Sequence, residues 1–285
     1  MNRTNQEMKM GYVDAHVHVW TDNFDQFPFA SGVDPAIAKP TTFHAEDILG
    51  HAHACGVDKV VLVQMSHYGE DNRYMLKVMA DHPGVFGGIG VVNPDKPDPD
   101  QKMRDLAAQG VYGFRVAPRQ RPIDSWCDSD GFERMFRAGA EDRLALCPLI
   151  TPVALPALRR RCDQFPETPV IIDHLCLIGE GGPIKESEVV ALCEMAACDN
   201  VMVKVSAFYA LGETAPYHDL RDLIHRVVDA FGPQRLMWAS DAPYQVQPPH
   251  EYRPSVELIS EGLDFLSAED RDQILGNTAR DFFYR

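Results

Sequence analysis

The sequence predicts an α/β fold, a single-domain (β/α)8 barrel, from three observations. Eight short apolar runs alternate with amphipathic helical stretches, which is the pattern of parallel strands joined by helices. The runs lack a polar face, as expected for strands that are buried on both sides. The first run leads into a long loop rich in Phe, Pro and Asp, whereas a doubly wound sheet usually has a Gly-rich phosphate turn at that place.

The predicted strands are short, rich in β-branched and aromatic residues, and bounded by polar or turn-forming residues. In chain order they are Tyr12–His18, Asp58–Met65, Val85–Val92, Val111–Val116, Leu144–Ile150, Pro169–Asp173, Val201–Val205 and Arg235–Ser240. Neither a linker nor an internal repeat interrupts the alternation. Residues 1–285 are therefore predicted to form one domain, with residues 1–10 as a polar leader.

The predicted helices show apolar residues at helical spacing. The first one starts near Thr42, which is followed by Glu46, and stops at Gly56; these residues are typical of helix ends. The others follow at Asn72–His82, Gln101–Gln109, Phe132–Glu141, Ala154–Gln164, Glu188–Ala197, Leu220–Phe231, Val256–Leu263 and in the tail Asp270–Phe283.

Composition excludes several classes of protein. The net charge of -15 argues against a nucleic-acid partner, because phosphate binding needs a basic face. No apolar run reaches the roughly 20 residues of a membrane span. The seven cysteines show no regular spacing and no C-x-x-C pair, and the leader lacks the apolar core of a secretory signal. We therefore expect a cytoplasmic protein, with the oligomeric state, including a homo-oligomer, left open.

The first predicted strand ends in two histidines, His16 and His18. Residues two apart on a strand project to one side, so the two imidazoles can converge on one point. Imidazole is the commonest metal ligand and the side chain best suited to proton transfer near neutral pH. The pair therefore indicates half of a metal site or half of an acid–base site, against the alternative of two hydrogen-bonded polar residues at a strand end.

Other ionisable residues also stand where predicted strands end. Active sites of such barrels lie at the carboxyl ends of the strands, and unpaired charges there are costly to keep without a function. His174 and Asp241 could instead cap a strand and a turn, but together with His16 and His18 they indicate a site. The full set at these ends is His16, His18, Gln64, Ser66, His67, Arg115, His174, Lys204, Ser206 and Asp241.

Arg115 lies inside an apolar strand, and such an arginine needs an anionic partner. With Arg119 and Arg121 in the following loop, a substrate carboxylate is the preferred partner, and a structural ion pair is the alternative. Lys204 is interpreted in the same way. His67 and Tyr209 are further candidates for contact with a small-molecule carboxylated substrate.

These motifs together resemble a known family. They are Asp14-Ala15-His16-Val17-His18-Val19-Trp20, Gly113-Phe114-Arg115, Val170-Ile171-Ile172-Asp173-His174-Leu175, Val203-Lys204-Val205-Ser206, Ser240-Asp241 and Ile274-Leu275-Gly276-Asn277-Thr278-Ala279-Arg280. In this order the chain resembles the amidohydrolase-related barrels (amidohydrolase family 2). Within them it is similar to the lactonase-like branch, which includes 2-pyrone-4,6-dicarboxylate lactonase and sugar-acid lactonases.

The resemblance implies an enzyme that hydrolyses the ester bond of a small carboxylated lactone. In metal-using relatives the matching positions, here His16, His18, His174 and Asp241, hold a divalent ion, usually zinc. Such relatives generally draw another histidine from strand five, and Leu144–Ile150 contains none. A zinc-assisted enzyme and a metal-free enzyme therefore both remain open.

The mechanism we expect gives each residue a role. Asp241 acts as general base on the attacking water and returns the proton to the leaving alkoxide. His16, His18 and His174 polarise the ester carbonyl, directly or through Zn²⁺. Arg115, with Arg119 or Lys204, anchors the substrate carboxylate.

Two other functions compete with this one. A zinc-dependent non-oxidative decarboxylase of the same superfamily would also take a small carboxylic acid. A non-catalytic binding protein would capture an anionic metabolite through its arginines. Of the three, only lactone hydrolysis releases a proton, so a pH indicator separates it from the others.

Overall fold

The computed structural model describes residues 10–285, and its centre is a sheet of eight parallel strands paired in sequence order. The predicted (β/α)8 barrel is thereby confirmed, while the predicted leader, apart from Met10, lies outside the described residues. The strands are β1 Tyr12–Val17, β2 Val57–Val63, β3 Phe86–Gly90, β4 Val111–Val116, β5 Ala145–Pro148, β6 Val170–Ile172, β7 Val201–Ser206 and β8 Leu236–Ala239.

The barrel closes between its first and last strands. Val17 bridges Ala242 in parallel, the amide of His18 donates to the carbonyl of Ala242 at 2.8 Å, and the amide of Asp241 donates to the carbonyl of His16 at 2.9 Å. This seam brings residue 241 beside residues 16 and 18, although more than 200 positions separate them in the chain.

A buried carboxylate also fastens the seam. Asp14 accepts hydrogen bonds from the amide of Ser240 at 2.9 Å, from the hydroxyl of Ser240 at 2.5 Å and from the hydroxyl of Tyr252 at 2.8 Å. Burial outweighs these bonds and raises the pKa of Asp14 to about 6. Asp14 thus links β1 to β8 and to the helix outside them.

Helices pack around the strands and form the outer layer. They are α1 Ala45–His53, α2 Arg73–Asp81, α3 Pro99–Ala107, α4 Asp130–Asp142, α5 Leu155–Gln164, α6 Glu186–Glu194, α7 Phe208–Leu211, α8 Arg221–Phe231, α9 Tyr252–Glu257, α10 Ala268–Asp272 and α11 Thr278–Phe283. No helix within residues 10–285 has the length and apolarity that crossing a membrane requires.

The structure corrects several predicted boundaries. The first helix begins at Ala45, not near Thr42, because the carboxylate of Asp47 accepts from the amide of His44 at 2.7 Å and fixes the start there. The helix predicted at Val256–Leu263 and the tail at Asp270–Phe283 are both helical in the structure, but neither is α-helix throughout. In both places a turn of π-helix, Leu258–Gly262 or Gln273–Asn277, interrupts the α-helical hydrogen bonding.

The core has two parts. Between sheet and helices lies a large apolar layer that includes the fully buried Trp20, Trp126 and Trp238. Inside the barrel lies a smaller cluster of Val, Ile, Ala and Met side chains, against which Phe282 and Phe283 pack from the carboxyl-terminal helix. The interior is therefore filled with side chains at one end, which leaves the carboxyl ends of the strands to form a site.

Candidate active site

Three predicted site residues meet at the carboxyl end of the barrel. His16 Nε2 lies 3.3 Å from His18 Nε2, and Asp241 Oδ1 lies 3.5 Å from the first and 3.4 Å from the second. All three side chains are buried. Asp241 Oδ1 accepts no hydrogen bond from any described residue, so a buried carboxylate oxygen faces two imidazole nitrogens without a partner.

The hydrogen bonds behind the imidazoles decide which nitrogen carries a proton. His18 Nδ1 lies 2.8 Å from the carbonyl oxygen of Val63, which can only accept. Nδ1 of His18 therefore carries a hydrogen, and its Nε2, the nitrogen that faces Asp241, is the one that can bind a metal ion. His174 Nδ1 contacts the hydroxyl of Ser206 at 2.8 Å, and its Nε2 lies 3.8 Å from Asp241 Oδ2.

A layer of charged side chains lies directly behind His16. Asp173 pairs with Lys204 Nζ at 3.0 Å and with Arg115 Nη2 at 3.1 Å, and it lies 3.4 Å from His16 Nδ1. The pairing of β6 with β7 explains the contact, because Ile172 is opposite Val203 and the next residues are Asp173 and Lys204. The position of Lys204, fully buried behind His16, favours a role in holding His16 over the predicted contact with substrate.

Burial and these charges set the ionisation of the site. Burial, with help from Lys204 and the neighbouring His174, holds the pKa of His16 well below its ordinary value, and burial also lowers the pKa of His174. Burial would raise the pKa of Asp173, but Lys204 and Arg115 outweigh it and bring that pKa well below the usual range. The pKa of Asp241 is lowered too, because its contacts with the histidines outweigh its burial. Near pH 7 the site thus combines neutral His16 and His174 with ionised Asp173 and Asp241.

Tyr209 contacts the second carboxylate oxygen of Asp241, Oδ2. Its hydroxyl donates to Asp241 Oδ2 at 2.7 Å, and burial beside Asp241 raises the pKa of Tyr209, which keeps the phenol protonated. The backbone is in the left-handed region at Asp241, with φ 64°, and at His174, with φ 53°. Such conformations are costly for residues other than glycine and occur preferentially at functional sites.

The remaining predicted residues lie farther out. Arg115 borders a cavity of about 410 Å³ that is also lined by Arg119 and Arg121. Arg119 is exposed at this cavity, while Arg121 is ion-paired with Asp95. His67 packs its ring against Trp20 and Phe29. A larger cavity of about 940 Å³, lined by Arg143, Met202 and Phe282, contains none of the site residues.

Two buried carboxylates, Asp173 and Asp14, were missed as site components by the sequence prediction. Asp173 follows an apolar strand, which is the same signal that selected His174 and Asp241. Asp14 carries a weaker signal, a charge within an apolar strand. Its side chain points to Ser240 and Tyr252. A register shift between Asp14 and Val17 interrupts the regular alternation of β1, so Asp14 and His16 do not point in the same direction although they are two residues apart.

The geometry suits a metal ion. Around tetrahedral zinc, with bonds of about 2.0–2.1 Å, neighbouring ligand atoms lie about 3.3–3.4 Å apart, close to the separations among His16, His18 and Asp241. Within residues 10–285, these three residues are the one group of His, Cys, Asp or Glu side chains whose ligand atoms lie close enough together, within 4.8 Å of one another, to share a metal ion. His174, the fourth predicted ligand, is not in that group. The donor set, two imidazoles and an unpartnered carboxylate oxygen, fits zinc by its chemistry.

Known proteins are similar to this chain over most of its length. The family model described as Amidohydrolase matches residues 13–285. The chain is 29% identical over 285 residues to L-fucono-1,5-lactonase of Burkholderia ambifaria, covering 95% of this chain and 94% of that protein. It is also 29% identical over 253 residues to 2-pyrone-4,6-dicarboxylate hydrolase of Comamonas testosteroni, covering 84% and 78%.

Among solved structures, an amidohydrolase from Burkholderia multivorans with bound zinc has the same fold. Its TM-score is 0.80 at 21% sequence identity, with 96% of this chain and 99% of the other covered.

Proposed function

This chain belongs to the amidohydrolase family, and we propose that it hydrolyses the ester bond of a small carboxylated lactone. The observation that carries the proposal is the unpartnered Asp241 Oδ1, buried opposite Nε2 of His16 and His18. A carboxylate in this state is equipped to accept a proton from a water molecule attacking an ester. The lactone-hydrolysing activities named for two relatives support the same reaction.

Asp241 performs the proton transfers in this proposal. Oδ1 takes the proton of the attacking water and returns it to the ring oxygen as the ester bond breaks. Tyr209 donates to Oδ2 and so keeps the other oxygen free for this exchange. The lowered pKa of Asp241 ensures that the base is ionised at neutral pH.

Arg115 anchors the carboxylate of the substrate. Its Nη2 is already bound by His16 and Asp173, but its buried Nε has no partner among the described residues. A buried unpaired donor at the edge of the 410 Å³ cavity favours a ligand with an anionic oxygen. The exposed Arg119 adds positive potential at the same cavity.

His16, His18 and Asp241 would hold a divalent ion, and His174 stands beside them on Asp241 Oδ2. Zinc, which suits this donor set, would polarise the ester carbonyl and lower the pKa of a bound water to about 7.

A lactone panel with a pH indicator tests the proposal. The panel contains 2-pyrone-4,6-dicarboxylate, the neutral L-fucono-1,5-lactone and an open-chain carboxylic acid. We expect proton release from a lactone, with kcat/KM at least about tenfold higher for the carboxylated ring, because a charge-assisted hydrogen bond is worth about 1.5–3 kcal/mol. Carbon dioxide release without ring opening would indicate the decarboxylase instead, and saturable binding without either product would indicate a binding protein.

A further inference from the structure

The Nε2 atom of His16 has one lone pair but three polar neighbours. Arg115 Nη2 lies 2.8 Å from it, nearer than His18 Nε2 at 3.3 Å or Asp241 Oδ1 at 3.5 Å. A guanidinium can only donate, so His16 Nε2 must accept. Nδ1 of His16 has two neighbours, Lys204 Nζ at 3.2 Å and the acceptor Asp173 Oδ1 at 3.4 Å. The contact of Arg115 with Nε2 is shorter than that of Lys204 with Nδ1, so the hydrogen of this neutral imidazole lies on Nδ1, toward Asp173.

The same lone pair is the one that the three-residue metal site requires. Metal ligation by histidine uses an unprotonated ring nitrogen, and Nε2 is the only such atom of His16 in this tautomer. A lone pair donated to a guanidinium hydrogen is not available to an ion. We propose that Arg115 and a divalent metal ion compete for Nε2 of His16, so that each excludes the other.

The charge balance of the site supports this exclusion. Two carboxylates, Asp173 and Asp241, are matched by two cations, Arg115 and Lys204, within one chain of contacts. A divalent ion added to this arrangement would face a guanidinium at near-contact distance inside a buried site, where screening is weak. Withdrawal of Arg115 removes one positive charge and frees the lone pair at the same time.

The structure also offers a place for the withdrawn side chain. Arg115 borders the cavity of about 410 Å³, and within residues 10–285 its Nε has no hydrogen-bond partner, so these residues bind the guanidinium from one side only. A substrate carboxylate in that cavity would draw Arg115 away from His16. Metal and carboxylated substrate would then strengthen each other's binding by an equal factor, as linkage requires.

This inference shares its site with the proposed function, yet its test uses no substrate. The dissociation constant of Zn²⁺ is measured for metal-stripped wild type and Arg115→Met by competition with a chromophoric chelator. We expect Arg115→Met to bind zinc at least about tenfold more tightly, equivalent to about 1.4 kcal/mol. Adding Asp241→Asn should abolish the gain, which would assign the ion to this site.

Arg119→Met is the matched control, because it removes an equal charge from the same cavity without a contact to His16. Its zinc affinity should stay within about twofold of wild type, against the tenfold change that 1.4 kcal/mol represents. Equal affinities of wild type and Arg115→Met would overturn the inference, as would equal gains in both variants or no zinc binding in any protein. Arg115→Gln serves if Arg115→Met does not fold, as judged by circular dichroism. A failed lactone panel leaves these affinities interpretable, so the two proposals fail separately.

Discussion

Replacing Asp173 by Asn removes the carboxylate that balances two buried cations. Asp173 and Lys204 are both fully buried, with 3.0 Å between Oδ1 and Nζ, and Arg115 Nη2 is 3.1 Å from Oδ2. At 3.0 Å and an effective dielectric constant of about 20, the attraction to Lys204 alone is about 5.5 kcal/mol. Desolvation of the pair offsets part of it, and breaking a buried pair typically costs about 3–5 kcal/mol.

We therefore expect the free energy of unfolding of Asp173→Asn, measured by urea titration, to fall by about 3–5 kcal/mol. Turnover should fall by about 10–100-fold as well, because His16 Nδ1 loses the carboxylate that orients it. The double variant Asp173→Asn/Lys204→Met should recover about 1–3 kcal/mol relative to the sum of the single effects.

The control is Asp81→Asn, which breaks the exposed pair with Lys77 and should cost less than about 0.5 kcal/mol. A loss below about 1 kcal/mol for Asp173→Asn, or additive effects in the double variant, would refute the account of this layer as a tightly coupled set of buried charges.

Three further expectations follow from the site and its seam. Tyr209→Phe should lower kcat about tenfold with an unchanged circular dichroism spectrum, since the hydrogen bond that Tyr209 donates to the charged Asp241 is worth about 1.5 kcal/mol. An unchanged kcat would contradict this role of Tyr209. Asp14→Ala should lower the free energy of unfolding in urea by about 3 kcal/mol or more, because the buried donors of Ser240 and Tyr252 lose their acceptor. A loss under about 1 kcal/mol would exclude the role of Asp14 in holding β1 to β8. Stability should decrease as pH falls below 6.5, the ordinary histidine pKa, because the unfolded chain takes up protons there while the lowered pKa values keep His16 and His174 neutral in the fold. Asp14, whose pKa is raised to about 6, takes up a proton in the fold and offsets part of this loss. Urea midpoints that are equal at pH 7.5 and 5.5 would contradict the expectation.

Much of the fold was predictable because a barrel of parallel strands leaves a strong pattern. Each strand is buried on both faces, so its run is apolar throughout, and it ends where the chain reaches the polar mouth. That pattern located Val111–Val116 without error and the other strands to within a few residues. Helix ends were less predictable. The sequence offers Thr42 as the residue that caps α1, but the structure caps it with the hydrogen bond from the amide of His44 to Asp47.

The convergence of His16, His18 and Asp241 was predictable from the sequence, but their arrangement was less so. The sequence indicates that His16, His18 and Asp241 reach one mouth, yet their distances depend on the seam between β1 and β8. The partnership of Asp173 with Lys204 depends on the register of β6 against β7, which a single sequence does not specify. The place of His174 depends on four consecutive left-handed residues, 174–177, which no local preference of His, Leu or Cys predicts.

The measurement that tests the central claim most directly is the rate of lactone opening by Asp241→Asn, compared with wild type on the best substrate of the panel. The account predicts a rate about 10²–10⁴-fold lower, the usual contribution of a general base, with an unchanged circular dichroism spectrum. Ring opening by Asp241→Asn at the wild-type rate would contradict the assignment of Asp241 as the base of this site.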